Sequence, residues 1–479
     1  MLFPTVAFAV FFLIAFVLNW VLRPTYRLWL WVMTVVSFVF YGWSDARFVA
    51  LLATSIVVNW AFGAVVRRAL AADGAKTPLS INLVRAAVVV NLGFLGFFKY
   101  FHFFVDGVVS TADRIGLGLT TPAIQIALPI GISFFTFHAI SYVIDIGRGE
   151  IEPLALDEYA LYMSFFPHLV AGPIVRASEF APQLAHRPDP RRIESGEAFR
   201  LISFGLFKKV VVSSYLASAI VDPVFGSPSA YGRVDLLVGV YAYAIQIYAD
   251  FSGYTDIAIG CALLLGFRFP QNFNGPYRAL SLQDFWRRWH MTLSRWLRDY
   301  LYIPLGGNRH GLQQTYRNLF LTMVIGGLWH GAAITFLVWG AIHGGYLVGE
   351  RVVKARWAER ADRPAVPPRL VPILQWVLTF NVVGLAWIFF RAQSVGAAFD
   401  VLGGLLTSSK PSQLVTPLLL VTIALSLASQ FVPPDAVTRF QRRFTVLVPA
   451  AQIAAVAIAL TVIDVLGPDG VAPFIYFRF

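Results

Sequence analysis

Charge is scarce in this chain. Only 13% of its 479 residues are Asp, Glu, Lys or Arg, about half the roughly 25% of a soluble globular protein. A water-soluble enzyme of this length could not cover a sequence that is 57% hydrophobic with so little polar surface. The same numbers exclude disorder. Cysteine is nearly absent too. Cys261 stands alone, so there is no intrachain disulfide and no relay that needs two thiols. The usual signatures of soluble catalysis are also lacking: P-loop, GxGxxG, HExxH, paired CxxC, GxSxG elbow and zinc-spaced His and Cys. No Lys or Arg precedes Arg23, so the N-terminus lacks the basic region of a cleaved signal.

What is present is apolar sequence in long stretches. They recur near residues 2–22, 28–43, 48–66, 83–104, 128–144, 159–175, 199–221, 236–249, 319–346, 372–390, 414–432 and 446–466. At about 20 residues per crossing this predicts an all-α polytopic membrane protein with about eleven to twelve spans. Several stretches are short or broken by Gly and Pro, which predicts re-entrant segments. The net charge is +12. Basic residues are expected in cytoplasmic loops, not on a nucleic-acid surface. Arg23 and Arg27 mark the first loop as cytoplasmic, and Arg67, Arg68, Lys76 and Arg85 mark the third. The N-terminus then faces outward, and the basic, Pro-containing stretch 351–369 lies inside. Residues 177–197 read as a polar loop. The chain reads as one membrane domain over 1–479, with N-terminal helices (1–127), a motif-bearing core (128–346) and C-terminal helices (347–479).

Residues 281–300, SLQDFWRRWHMTLSRWLRDY, carry apolar side chains at steps of three and four, with Arg287, Arg288, Arg295 and Arg298 between them. This predicts one amphipathic interfacial helix, Trp-rich on one side and Arg-rich on the other. His290 borders its apolar stripe, beside Arg287 and Arg288, where an anion could be met. His330 stands inside the apolar run LTMVIGGLWHGAAITFLVWG. It is 12 residues past Asn318, about 18 Å along a helix, near the midplane of a hydrocarbon core about 30 Å thick. An ionisable group there is a functional candidate. Burial keeps the imidazole neutral and able to accept a proton. Gly326, Gly327 and Gly331 around it leave room either for a substrate or for a close helix. His343, further along the same run, is predicted to point elsewhere.

The segment YADFSGYTDIAIG places Asp250, Ser252, Tyr254 and Asp256 in an otherwise lipid-like region. The two carboxylates are expected to face a polar interior, as bracing groups or as substrate contacts. FPQNFNGPY, with Asn272 and Asn274, reads as a non-helical link. His168 in FFPHLVAGPI reads as part of another irregular segment.

Taken in order, FFPHLVAGPI, YADFSGYTDIAIG, GFRFPQNFNGPY, DFWRRWHMTLSRWLRDYLYIPLGG and GGLWHGA resemble the membrane-bound O-acyltransferase family, most closely its bacterial alginate-acetylating branch. The resemblance runs from about residue 128 to 345. It implies a ring of tilted helices around a central partition, with a funnel on each side. It also implies that His330 is the catalytic residue and His290 its companion. His168 stands where relatives are expected to carry Gln. The resemblance further implies acetyl-CoA as cytoplasmic donor, with its pantetheine arm entering near Trp286, Arg287 and Arg288. His330 would deprotonate an acceptor hydroxyl, and His290 would polarise or orient its partner. Tyr254, Asn272 and Asn274 are candidate oxyanion donors, and Trp329 a candidate tunnel-lining residue. A periplasmic acetyltransferase partner, a polysaccharide acceptor and a bacterial inner-membrane location complete the expectation. No bound cofactor or metal is expected.

Three other readings stay open on sequence. One changes the cargo, to D-alanine or to an acyl group for peptidoglycan. One is a glycan or lipid transporter, which also breaks its helices and carries polar residues at the midplane. The last is a scaffold for a secretion complex.

Overall fold

The computed structural model describes residues 1–71, 73–118, 126–186, 188–358, 369–467 and 474–475. The described residues form helices and connecting segments, with no strand among them. Residues 359–368, within the stretch expected on the cytoplasmic side, lie outside them. The chain divides into two compact units, Met1–Ala198 with Ala258–Pro270, and Phe199–Ile257 with Gln271–Phe479.

The first unit is built from α1 (Val6–Leu22), α2 (Tyr26–Gly42), α3 (Arg47–Ala69), α4 (Pro78–Arg114), α5 (Ile132–Arg148), α6 (Leu156–Ser164), the single turn α7 (Phe166–Leu169) and α8 (Ala177–Ala185). Local chemistry sets the starts. The Thr5 hydroxyl accepts from the Phe8 N–H ahead of α1. Thr77 and Ser80 bond reciprocally at the head of α4, where Pro78 needs no N–H partner. Buried polar groups are matched inside: Asn59 of α3 and Asn91 of α4 exchange hydrogen bonds of 3.1 and 2.6 Å.

Two expectations change here. Residues 177–185 are helical, not loop. Arg23, read as a loop charge, is only 6% exposed. Its guanidinium lies 4.4 Å over the Trp29 ring and 5.0 Å over Phe267. It donates to Asn19 Oδ1 at 3.2 Å and to the Leu265 carbonyl at 2.9 Å. Aromatic faces and hydrogen bonds together make that burial tolerable.

The second unit carries most of α9 (Ser195–Gly226) and α10 (Arg233–Leu264). It continues with α11 (Leu282–Trp286), α12 (Met291–Leu297), α13 (Leu312–His330), α14 (Ile334–Ala358), α15 (Val371–Arg391), α16 (Val395–Thr407), α17 (Pro417–Ser429), α18 (Pro434–Val446) and α19 (Pro449–Leu466). Helices α9 and α10 approach at two glycines. A Cβ on Gly205 would lie 2.6 Å from the Gly253 carbonyl oxygen, and one on Gly253 2.7 Å from that of Gly205. Just beyond, α9 widens into a π-helical turn, Phe207–Ser213.

Among the described residues, five helices are long and apolar enough to cross a membrane: α3, α4, α9, α10 and α15. Shorter apolar helices, α1, α2, α16, α17 and α19, accompany them. The apolar runs counted in the sequence therefore include several too short or too broken to span alone. The run 319–346 is one. It is not a single helix, because α13 ends at His330 and α14 starts only at Ile334.

Candidate active site

The segment expected as one amphipathic helix is two short ones. Ser281 caps α11 by accepting from the Asp284 N–H at 3.1 Å. The chain then turns at His290, and α12 begins at Met291. The apolar side chains are not spread on a surface: Leu282, Phe285, Trp289, Leu293 and Leu297 are all buried. His290 has φ +42° and ψ +54°, and it is the one non-glycine residue with positive φ among the described residues. For a residue with a Cβ this conformation costs about 1–2 kcal/mol. Such strain persists only where the surroundings enforce it.

Asn272 enforces it. The 271–274 stretch is non-helical, as the sequence predicted. The Asn272 main-chain carbonyl accepts from the Met291 N–H at 2.9 Å, and the Asn274 N–H donates to the Arg288 carbonyl at 2.9 Å. The Asn272 side-chain oxygen accepts from the Thr292 N–H at 3.2 Å and the Thr292 hydroxyl at 2.9 Å. It also stands 3.1 Å from His290 Nδ1. The His290 ring is fully buried, with Phe251 edge-on at 4.7 Å and Trp329 at 6.1 Å between ring centroids.

His330 ends α13. Its ring is 4% exposed and sits among Trp329, Trp339 and Phe390, at centroid distances of 5.0, 5.0 and 5.1 Å. The glycines around it answer the question left open by sequence. A Cβ on Gly327 would lie 2.3 Å from the Phe336 carbonyl oxygen, and one on Gly331 2.1 Å from the Phe336 ring. On the facing helix, a Cβ on Gly340 would meet the Met323 carbonyl oxygen at 2.5 Å. These glycines bring α13 and α14 together; they are not substrate space. Gly327→Ala is accordingly expected to destabilise the protein by about 1–3 kcal/mol, because the obstacle is backbone. Thermal unfolding of the detergent-solubilised variant measures this, and an unshifted midpoint would contradict it.

His343, expected to point away from His330, is a buried packing residue. Its ring lies 4.7 Å from that of Trp339, one turn back on α14, and Trp339 packs on His330 with its indole. His343 Nδ1 accepts from the Trp286 indole N–H at 3.2 Å.

A cleft of about 420 Å³ opens beside these groups. Trp286, Met291, Leu297, Leu319, Met323 and Leu347 give it an apolar lining. Arg287, Arg295, Arg298, Arg351 and Lys354 supply cations against one carboxylate, Glu350. Glu350 is engaged elsewhere: it accepts the Leu282 N–H at 2.9 Å, at the start of α11. The cleft is thus greasy inside and positive overall. His290 and His330 do not line it but stand behind neighbours of its wall. Met291 follows His290 in the chain, and Trp286 stacks edge-on against Trp339 at 5.8 Å, next to His330.

The remaining candidates divide. Arg288 does not line the cleft; it pairs with Asp284 at 2.9 Å and donates to the Asn274 carbonyl. Asn274 accepts from Arg278 at 3.0 Å. Asp250 is ion-paired with Lys209, and Asp256 with Lys208. Asp250 also accepts from the Ser213 hydroxyl at 3.1 Å and the Ile475 N–H at 2.9 Å. Ser252 accepts from Lys208 at 3.0 Å. Tyr254 packs on Phe474 at 4.8 Å. This cluster braces α9 against α10. Lys208 and Lys209 were missed at the level of sequence, although two cations inside the apolar run 199–221 are the signal that carboxylates must be near. His168 belongs to the first unit. Its ring lies 4.8 Å from that of His138, and its Nε2 is 2.8 Å from the Tyr162 carbonyl.

Residues 133–390 match the model of the membrane-bound O-acyltransferase family. The probable alginate O-acetylase AlgI of Pseudomonas aeruginosa is 42% identical over 370 residues, covering 77% of this chain and 68% of that protein. The peptidoglycan O-acetyltransferase of Helicobacter pylori is 37% identical over 408 residues, 79% of this chain and 73% of that one. The teichoic acid D-alanyltransferase of Streptococcus thermophilus is 28% identical over 280 residues, 54% and 68% of the two chains.

Proposed function

The chain belongs to the membrane-bound O-acyltransferase family and is a multi-pass membrane O-acyltransferase; from that premise we propose that it takes acetyl groups from cytoplasmic acetyl-CoA for O-acetylation of a polysaccharide outside the bacterial inner membrane. The polysaccharide is of the alginate kind, and a periplasmic partner completes the transfer. The observation that carries this reading is the cleft. A donor with several phosphates at one end and a thin thioester arm at the other needs cations at a mouth and an apolar bore. Arg287, Arg351 and Lys354 beside Trp286, Met291 and Met323 supply that combination.

The chemistry is assigned to the two buried imidazoles, His290 and His330, which lie behind the cleft's lining. The acceptor hydroxyl passes its proton to one imidazole as its oxygen attacks the thioester carbonyl. The other imidazole, through an N–H, meets the negative charge that develops on the carbonyl oxygen. The C–S bond then breaks, and the proton goes to the departing thiolate. The products are an acetyl ester and free CoA. A funnel from each face of the membrane lets the donor stay inside and the acceptor outside, so only the acetyl group crosses.

Arg287→Ala tests the donor site. Losing one charge-assisted contact is worth about 1.5 kcal/mol or more, so the apparent KM for acetyl-CoA is expected to rise about tenfold or more with kcat nearly unchanged. An unchanged dose response to acetyl-CoA would reject this site. Tight binding of a holo carrier protein in place of acetyl-CoA would redirect the reading to D-alanyl transfer.

A further inference from the structure

The stretch 281–300 has the sequence of an interfacial helix but is buried in the fold. The helix that fits that description is α18 (Pro434–Val446). Arg439, Arg442 and Arg443 stand at steps of three and four, so they share one face, and all three are exposed. Val437 and Phe444, seven residues apart, fall on the opposite face and are half-buried. The helix carries one carboxylate, Asp435, in its first turn, where the helix dipole favours it.

The chain on either side is apolar and exposed. Phe431 and Val432 precede the helix and Leu447 and Val448 follow it, while Val446 at its last position is 84% exposed. The apolar helices α17 and α19 continue from there. Side chains of this kind at both ends rest in hydrocarbon, so α18 lies in the membrane surface with its arginines at the level of the headgroups. Charge and packing set the side. The basic stretch 351–369 leads into α15 and is cytoplasmic by its charge. Trp376, in the second turn of α15, meets the Phe431 ring edge to face, with centroids 6.1 Å apart. Helix α17 thus delivers the chain to α18 on that same side.

We propose that α18 is a docking site for anionic phospholipid of the cytoplasmic leaflet, with Arg439, Arg442 and Arg443 holding headgroup phosphates. Guanidinium groups take phosphate oxygens in pairs. Near an anionic leaflet each surface arginine is worth about fivefold in local binding, and three together on the order of a hundredfold. A soluble anion or an anionic polysaccharide would have to displace phosphates already at that depth. None of these residues lines the cleft, so the site is independent of the acyl-transfer reading.

The test uses the full-length protein in nanodiscs of phosphatidylcholine alone, or of phosphatidylcholine and phosphatidylglycerol at about 3:1, enough to make the surface negative. Amide hydrogen exchange across 434–446 is followed by mass spectrometry, with α10 as internal control. Exchange in α18 is expected to be about tenfold or more slower with phosphatidylglycerol, with α10 unchanged. The difference should shrink at about 1 M salt, where screening acts within about 3 Å. It should vanish in the triple variant Arg439→Gln/Arg442→Gln/Arg443→Gln. The lipid and salt comparisons need only wild-type protein, so a variant that fails to fold does not spoil the test. Equal exchange in the two lipids, or a lipid effect that survives the triple variant, would overturn the proposal. So would equal protection in phosphatidylcholine discs by added inorganic phosphate or soluble anionic polysaccharide, or protection seen only in discs that hold two copies of the chain.

Discussion

His330→Ala is expected to lower acetyl transfer by about 10²–10³-fold or more while the protein still inserts and folds. Loss of one positioned donor from an acyl-transfer centre has that size, and loss of a general base is comparable, so the expectation does not depend on which of the two roles the imidazole plays. The fold should survive because the ring is held by aromatic neighbours, Trp329, Trp339 and Phe390, and α13 already ends at this residue. Removing the side chain breaks no continuous helix. The measurement is turnover of labelled acetyl-CoA by the purified variant, with its elution profile and unfolding midpoint as controls. A wild-type rate would take His330 out of the chemistry. A transporter or a scaffold would also be indifferent to the change.

Lys209→Met is expected to destabilise the protein by about 3–5 kcal/mol, the usual consequence of leaving one member of a buried ion pair alone. Lys209 and Asp250 are both almost wholly buried. Without the ammonium, the carboxylate is left with neutral donors, the Ser213 hydroxyl and the Ile475 N–H. The double variant Lys209→Met/Asp250→Asn removes both charges and is expected to recover much of the loss, giving a large coupling energy in a double-mutant cycle. It is also expected to retain activity per folded molecule, because the contacts of Asp250 with Lys209, Ser213 and Ile475 are bracing ones. A stable but inactive double variant would return Asp250 to the list of substrate contacts.

The two imidazoles proposed for the chemistry were legible in the chain because of where they are unusual. An imidazole in an apolar run and another in a Trp- and Arg-rich stretch stand out by composition alone. Their backbone was not legible. Steps of three and four across 281–300 describe one helix, and nothing in the sequence of His290 announces a left-handed residue. The turn is imposed by Asn272, which lies 18 residues away. The run 319–346 reads as a continuous helix because Gly331 is merely small, whereas the break there is fixed by the close approach of Phe336. Polar residues inside apolar sequence were correctly singled out, but their partners depend on long-range packing. Asp250 and Asp256 found lysines on α9, and Arg23 found aromatic rings. Sequence marks a buried charge as needing an answer; only the fold says which group gives it.

The most direct test of the account is mass spectrometry of the cell-surface polysaccharide from bacteria with and without this gene. The expected result is loss of ester-linked acetate when the gene is removed, restored by the wild-type chain and not by His330→Ala. Acetate that persists undiminished without the gene would contradict it.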